Sequence, residues 1–179
     1  ILSSKGRNLY GMGRYEEACA ITAESCEISR AIANADPSNV HEVGSHALNL
    51  GYRGLALFHA GRIKEAREVL AESQPAAVRA VSAVPENGVF QNARCQAYIL
   101  EGNLANLDGN PVAARAAWSA AMEILDKQSW RRSTGQGAGM HLELSILLGN
   151  IEDARADAEI LVKNSWMMPR CAELLATLK

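Results

Sequence analysis

A fixed stride governs this chain. Gly6, Gly13 and Ala18 return as Gly54, Gly61 and Ala66, and again as Gly102, Gly109 and Ala114, each time 48 residues on. A constant period of this size marks stacked supersecondary units, none of which buries its apolar face alone. The type of unit follows from composition. Ala, Leu, Glu and Arg are abundant, Val and Thr are few, and aromatics make up only 5%. That balance favours helix over sheet.

The 179 residues, 48% of them hydrophobic, suffice for one ordinary domain or for roughly three to five helical hairpins. The net charge of −2 and the scattered basic residues argue against nucleic acid or an anionic membrane as partner. No apolar run approaches the ~20 residues that span a bilayer, and no leader pattern opens the chain. The chain starts at Ile1, midway through a helical pattern. It is expected to be a domain excised from a longer protein, a processed mature chain being the alternative. None of Cys19, Cys26, Cys95 and Cys171 forms a C-x-x-C pair. Cys19 and Cys26 lie about 10 Å apart along a helix, beyond disulfide reach. Reduced, buried thiols in a cytoplasmic protein are the expectation.

Apolar periodicity and punctuation predict hairpins over roughly 1–35, 40–84, 88–128 and 138–163, with a closing helix over 169–178. Glu16 and Glu17 suit the positive end of the second helix. Ala18, Ile21, Ser25, Ile28 and Ile32 mark its inner face at 3–4 spacing. Asp36-Pro37-Ser38-Asn39 stops that helix, and Asn39 with Glu42 has capping-box spacing. Val43, Ala47, Leu50, Gly54 and Leu57 form the next stripe. Pro75 predicts a kink or a fresh start. Phe90, Ala93, Ala97, Leu100, Leu104 and Leu107 repeat cleanly, then Asn110 caps a helix that opens with Pro111. A polar stretch over 129–139 precedes the fourth unit, in which Asn150 caps a helix.

The recurring core G-x6-G-[RN]-x-x-x-A reads Gly6…Gly13-Arg14…Ala18, Gly54…Gly61-Arg62…Ala66 and Gly102…Gly109-Asn110…Ala114, with a partial copy at Gly149-Asn150…Ala154. It resembles the tetratricopeptide repeat (TPR), in which a small residue and an alanine lie where paired helices approach and a hinge residue reverses the chain. Short side chains permit that approach on physical grounds as well. The resemblance implies an all-α, right-handed α-solenoid of about four antiparallel helix hairpins with a C-terminal closing helix, as one domain over 1–179. Two features depart from the family. The period exceeds the usual ~34 residues, so longer helices are expected. Lys5, Arg53 and Glu101 also stand where an apolar residue is typical. Long-period repeats joined by D-P-S-N are similar to those that follow bacterial regulatory modules, including eukaryote-like serine/threonine kinases.

Candidate chemistry is sparse. His41 and His46 stand five apart and diverge by about 140° on a helix, unlike zinc-binding i,i+4 histidines. His59 and His141 have no ligand-like neighbours in sequence. Gly135-Gln136-Gly137-Ala138-Gly139 follows no predicted strand and lacks G-K-[ST], so a flexible inter-repeat loop is expected. Arg131-Arg132-Ser133-Thr134 has the form of a basophilic kinase site, with solvation of the loop as the plainer reading. Trp130 anchors that loop or contacts a partner. No nucleophile–base arrangement is legible, and no catalytic residue, cofactor or metal is assigned.

In the resembled family the first helices of successive hairpins line a concave groove. The corresponding positions here are Arg7, Tyr10, Phe58, His59, Gln96, Asn103 and Asn106. Amides can pair with a peptide backbone and aromatics add apolar contact; filling of the inter-repeat core is the alternative for Tyr10 and Phe58. The family's carboxylate-clamp positions hold Ser3, Arg7, Gly51, Leu55, Ile99 and Asn103, an incomplete set that argues against an acidic chaperone tail. The resemblance implies a non-catalytic protein- or peptide-binding scaffold, or the sensory part of a larger regulatory protein, in the cytoplasm. Self-association in support of a neighbouring domain and small-ligand sensing remain alternatives.

Overall fold

The computed structural model describes residues 2–128 and 134–177. Every regular element in that range is an α-helix, in the order α1 (Leu2–Gly11), α2 (Tyr15–Ala35), α3 (Val40–His59), α4 (Ile63–Ala83), α5 (Gly88–Leu107), α6 (Pro111–Asp126), α7 (Gly135–Leu148), α8 (Ile151–Lys163) and α9 (Pro169–Ala176). Consecutive helices pair from α1 to α8, α3 also packs on α5, and α9 packs on α7 and α1. The result is a TPR-like α-solenoid whose longest helices span 21 residues.

One local device ends the first helix of each hairpin. At the end of α3, Gly61 takes φ +76°, its N–H donates to the Phe58 carbonyl, and the Arg62 N–H donates to the Leu57 carbonyl. This is a Schellman turn, which closes orphan carbonyls and needs a left-handed residue at its apex. The same bond pair and positive φ recur at Gly13, Gly109 and Gly149. A fifth copy ends α8, where Ser165 adopts φ +55°. At helix starts, the Asn39 side chain accepts from the His41 and Glu42 N–H groups, Asn87 from Val89 and Phe90, and Asn110 from Ala113.

The small residues are placed for contact. Ala18, Ala66, Ala114 and Ala154 are fully buried. A methyl group added at Gly54 would lie 2.4 Å from Leu100 Cδ2, and one at Gly102 2.4 Å from the Trp118 indole. One apolar cluster runs from Leu9 through the first three hairpins to Leu144. A second joins α7, α8 and α9 through Ala138, Leu142, Ala154, Leu161 and Cys171.

Several expectations need correction. No fresh start occurs at Pro75, since α4 continues past it. Gly135-Gln136-Gly137-Ala138-Gly139 is no loop but the opening of α7, capped by Thr134 Oγ1, which accepts from the Gly137 N–H at 3.0 Å. Asn150 precedes α8 without a side-chain capping bond. Leu107, the last residue of α5, is 55% exposed. Ile28 and Ile32 are also about half exposed, because α1 runs for 10 residues where α3 runs for 20. Ala80, which stands 48 residues after Ile32, is instead covered by Val40 and Phe90.

Candidate functional site

The first helices α1 and α3 bring aromatic side chains to one face. Tyr10 on α1 meets Tyr52 and His59 on α3, with ring centroids 6.5 and 5.8 Å away. Tyr15, at the start of α2, stacks on His59 at 5.0 Å, and Phe58 meets the same imidazole edge-on at 5.2 Å. Burial, with the charge of Arg170 second, holds His59 down at about 4, so the ring is neutral at pH 7. Burial likewise raises the Tyr10 phenol well above its ordinary value and pushes Tyr52 up to about 12.

The C-terminal elements of the chain sit on this face. Gln136 of α7 donates through Nε2 to the Tyr52 hydroxyl and accepts from Arg7 Nη1 at 3.3 Å. Arg170 of α9 places its guanidinium carbon 4.8 Å from the Tyr10 ring centroid. It donates to the Tyr15 hydroxyl at 3.4 Å and to Glu143 Oε1 on α7. Glu143 and Arg170 are each only 6% exposed. A buried carboxylate must be paired or neutralised, and Arg170 pairs it here. Two polar atoms at the same place, Tyr10 Oη and His59 Nε2, are buried and without a hydrogen-bond partner among the described residues.

The seven groove positions thus divide. Arg7, Tyr10, Phe58 and His59 come together at the α1–α3 end. Gln96 and Asn103 are buried within the array. Gln96 donates to Asn92 and nests on Gly51, where an added methyl would come within 2.2 Å of Gln96 Oε1. Asn103 accepts from Trp118 Nε1 at 3.1 Å. Asn106 is exposed on α5, apart from the aromatic group. Tyr15, Tyr52, Gln136, Glu143 and Arg170 complete the face and were not singled out from sequence. One signal pointed to Glu143: an acid set among apolar residues in Leu142-Glu143-Leu144-Ser145-Ile146 has to find a cation. Trp130 and residues 131–133 lie outside the described residues.

The remaining histidines tie helices together. His46 Nδ1 meets Ser29 Oγ at 2.8 Å, and its Nε2 meets Glu72, which also receives Arg30 in a two-pronged pair. His141 Nδ1 faces both Asp157 and Ser145 Oγ, while Nε2 lies 3.4 Å from Asp126. Serine, histidine and aspartate here do not make a nucleophilic triad. Ser145 is fully buried, so its hydroxyl faces no substrate, and it shares with Asp157 the ring nitrogen that a triad would reserve for the aspartate alone. No group of three or more metal-type ligands occurs among the described residues.

A family model for the tetratricopeptide repeat matches residues 50–72. That segment runs from the middle of α3 to the middle of α4 and contains Gly54, Gly61 and Ala66. Comparison with curated proteins and with solved structures found no match. The second hairpin is thus similar to a tetratricopeptide repeat, and the described residues fold as a TPR-like solenoid.

Proposed function

We propose that this chain is a protein- or peptide-binding module, non-catalytic, serving as the scaffold or sensory arm of a larger regulatory protein in the cytoplasm. TPR repeats generally mediate protein–protein interaction. The observation that carries the reading is the clustering of Tyr10, Tyr15, Phe58 and His59 on adjacent helices, bordered by the exposed Arg7. Aromatic and arginine side chains are the groups that dominate binding at protein interfaces. Packing and turns hold the half-buried Phe58 and the exposed Arg7 at its edge, where docking needs little reorganisation. Buried, unpaired thiols at Cys19, Cys26, Cys95 and Cys171 support a reducing compartment. No described helix is long and apolar enough to cross a membrane.

A photo-crosslinking residue at Phe58 tests the reading, with Val162 on α8 as the control position. Expressed in the source cell, the Phe58 site should trap a discrete protein that the Val162 site does not. Equal labelling from both positions, or none from Phe58, refutes it.

A further inference from the structure

We propose that the site bounded by Tyr10, Tyr15 and Glu143 is a receptor for an arginine side chain of a partner protein, and that Arg170 of α9 is its resident competitor. The inference rests on the partner-binding reading and names both the chemistry of the partner and the device that restrains it.

The receptor half is fixed by well-packed elements. Glu143 lies mid-way along α7, between the buried Leu142 and Leu144, and Tyr10 lies on α1 next to the fully buried Gly6–Thr22 contact. Together they offer a carboxylate, a tyrosine ring face and, from Tyr15, a hydroxyl acceptor. A guanidinium meets all three by hydrogen bond, charge and cation–π contact. An ammonium is too compact to reach the carboxylate and the hydroxyl with separate nitrogens while covering the ring. Vacating the site would leave a buried carboxylate unpaired, so the site selects a cation.

The competitor half is weakly held. The α9 helix has 8 residues, below the ~12–15 at which an isolated helix persists in water. It packs on α7 and α1 alone among the helices with substantial contact, and Ala172, Glu173 and Ala176 remain exposed. It also leaves bonding capacity unused, since the Tyr10 hydroxyl and His59 Nε2 beside it have no partner among the described residues. A partner backbone that bonded these atoms would outcompete α9. The approach to the site is shaped as well. Gly11 seats Met168, and a methyl group there would lie 2.2 Å from the Met168 sulfur. The motif the site reads is therefore an apolar residue two positions before an arginine, as in Met168-Pro169-Arg170.

The probe is a fluorescent peptide of residues 164–177 carrying Cys171→Ser, offered to the full chain and followed by anisotropy. The Arg170→Gln full chain should bind it at least tenfold more tightly than wild type, whose site is already filled. A peptide carrying Arg170→Gln should bind at least tenfold more weakly, and adding Glu143→Gln to the receptor should abolish binding. Should Arg170→Gln fail to fold by circular dichroism, Cys171→Asp loosens α9 while leaving the receptor groups intact. In wild type, saturating peptide should speed hydrogen exchange across 169–176. Folded variants that bind no better than wild type, or indifference to arginine in the peptide, overturn the proposal. Because the Phe58 crosslink does not depend on Arg170, crosslinking without peptide binding sinks the arginine receptor alone. Peptide binding without any crosslink leaves a purely internal latch and sinks the partner.

Discussion

Changing Gly102 to alanine sets two opposed effects against each other. In an ordinary helix interior the change stabilises by about 1 kcal/mol, because alanine costs less backbone entropy. Here the new methyl would lie 2.4 Å from Trp118 Cδ1 and Nε1 and 3.0 Å from the Ala114 carbonyl oxygen. The backbone contact means that α5 and α6 themselves must part. Trp118 has little freedom to yield, being 7% exposed and bonded to Asn103. Overpacking of this kind costs ~1–3 kcal/mol, and a strained indole bond adds up to ~1 kcal/mol. The net is a destabilisation of about 2 kcal/mol. With a urea dependence near 2 kcal/mol per molar, the midpoint falls by about 1 M. Circular dichroism at 222 nm follows the transition. Gly61 supplies the contrast, since nothing lies within 4 Å of an added methyl there but φ is +76°. Asparagine, which tolerates that backbone, should therefore be accepted at 61 and rejected at 102. A rise in midpoint for Gly102→Ala would refute the idea that short side chains set helix spacing in this array.

Other outcomes follow from the caps, the thiols and the neutral imidazole. Asn39→Ala should cost about 1 kcal/mol by losing a cap, whereas Asn150→Ala, with no capping bond to lose, should cost a few tenths; urea midpoints distinguish them. Burial pushes the Cys26 thiol up to about 11 and Cys95 higher still, so at pH 7.5 a thiol reagent should label both only after unfolding, read by mass spectrometry. His59 titrates near 4 when folded and at ~6.5 when unfolded. A histidine held neutral contributes stability that is complete above the unfolded value and is lost as pH falls toward the folded one, here ~2 kcal/mol between pH 7 and pH 5. His59→Gln should flatten that slope by this amount in denaturation series at the two pH values, and parallel slopes would refute the assignment.

The repeat was readable because the residues that carry it act locally. Glycine at 61 or 109 is needed by the turn itself, and Ala66 or Ala114 by the helix one step away. Asn39 and Pro111 announce helix starts for equally local reasons. The misreadings at the groove positions and at 135–139 share one cause, which is contact between segments far apart in sequence. Gln96 and Asn103 hold polar groups suited to a groove, yet Gly51 and Trp118 on neighbouring helices draw them inside. The glycines at 135 and 139 look like a loop, but Trp166 and Cys171 press against them, and space for those side chains is what the small residues provide. Arg170 lies 155 positions from Tyr15, and no periodicity relates the two.

A ladder of rungs frays from its loose ends, and arrays with only neighbour contacts melt in the same way. Here the last rung is knotted to the first through Arg170, Tyr10 and Tyr15. The knot turns an open ladder into a loop in which neither terminus can peel away without disturbing the other. A visitor that undid it would slacken both ends at once, so an event at a single arginine would be felt along the whole length of the chain.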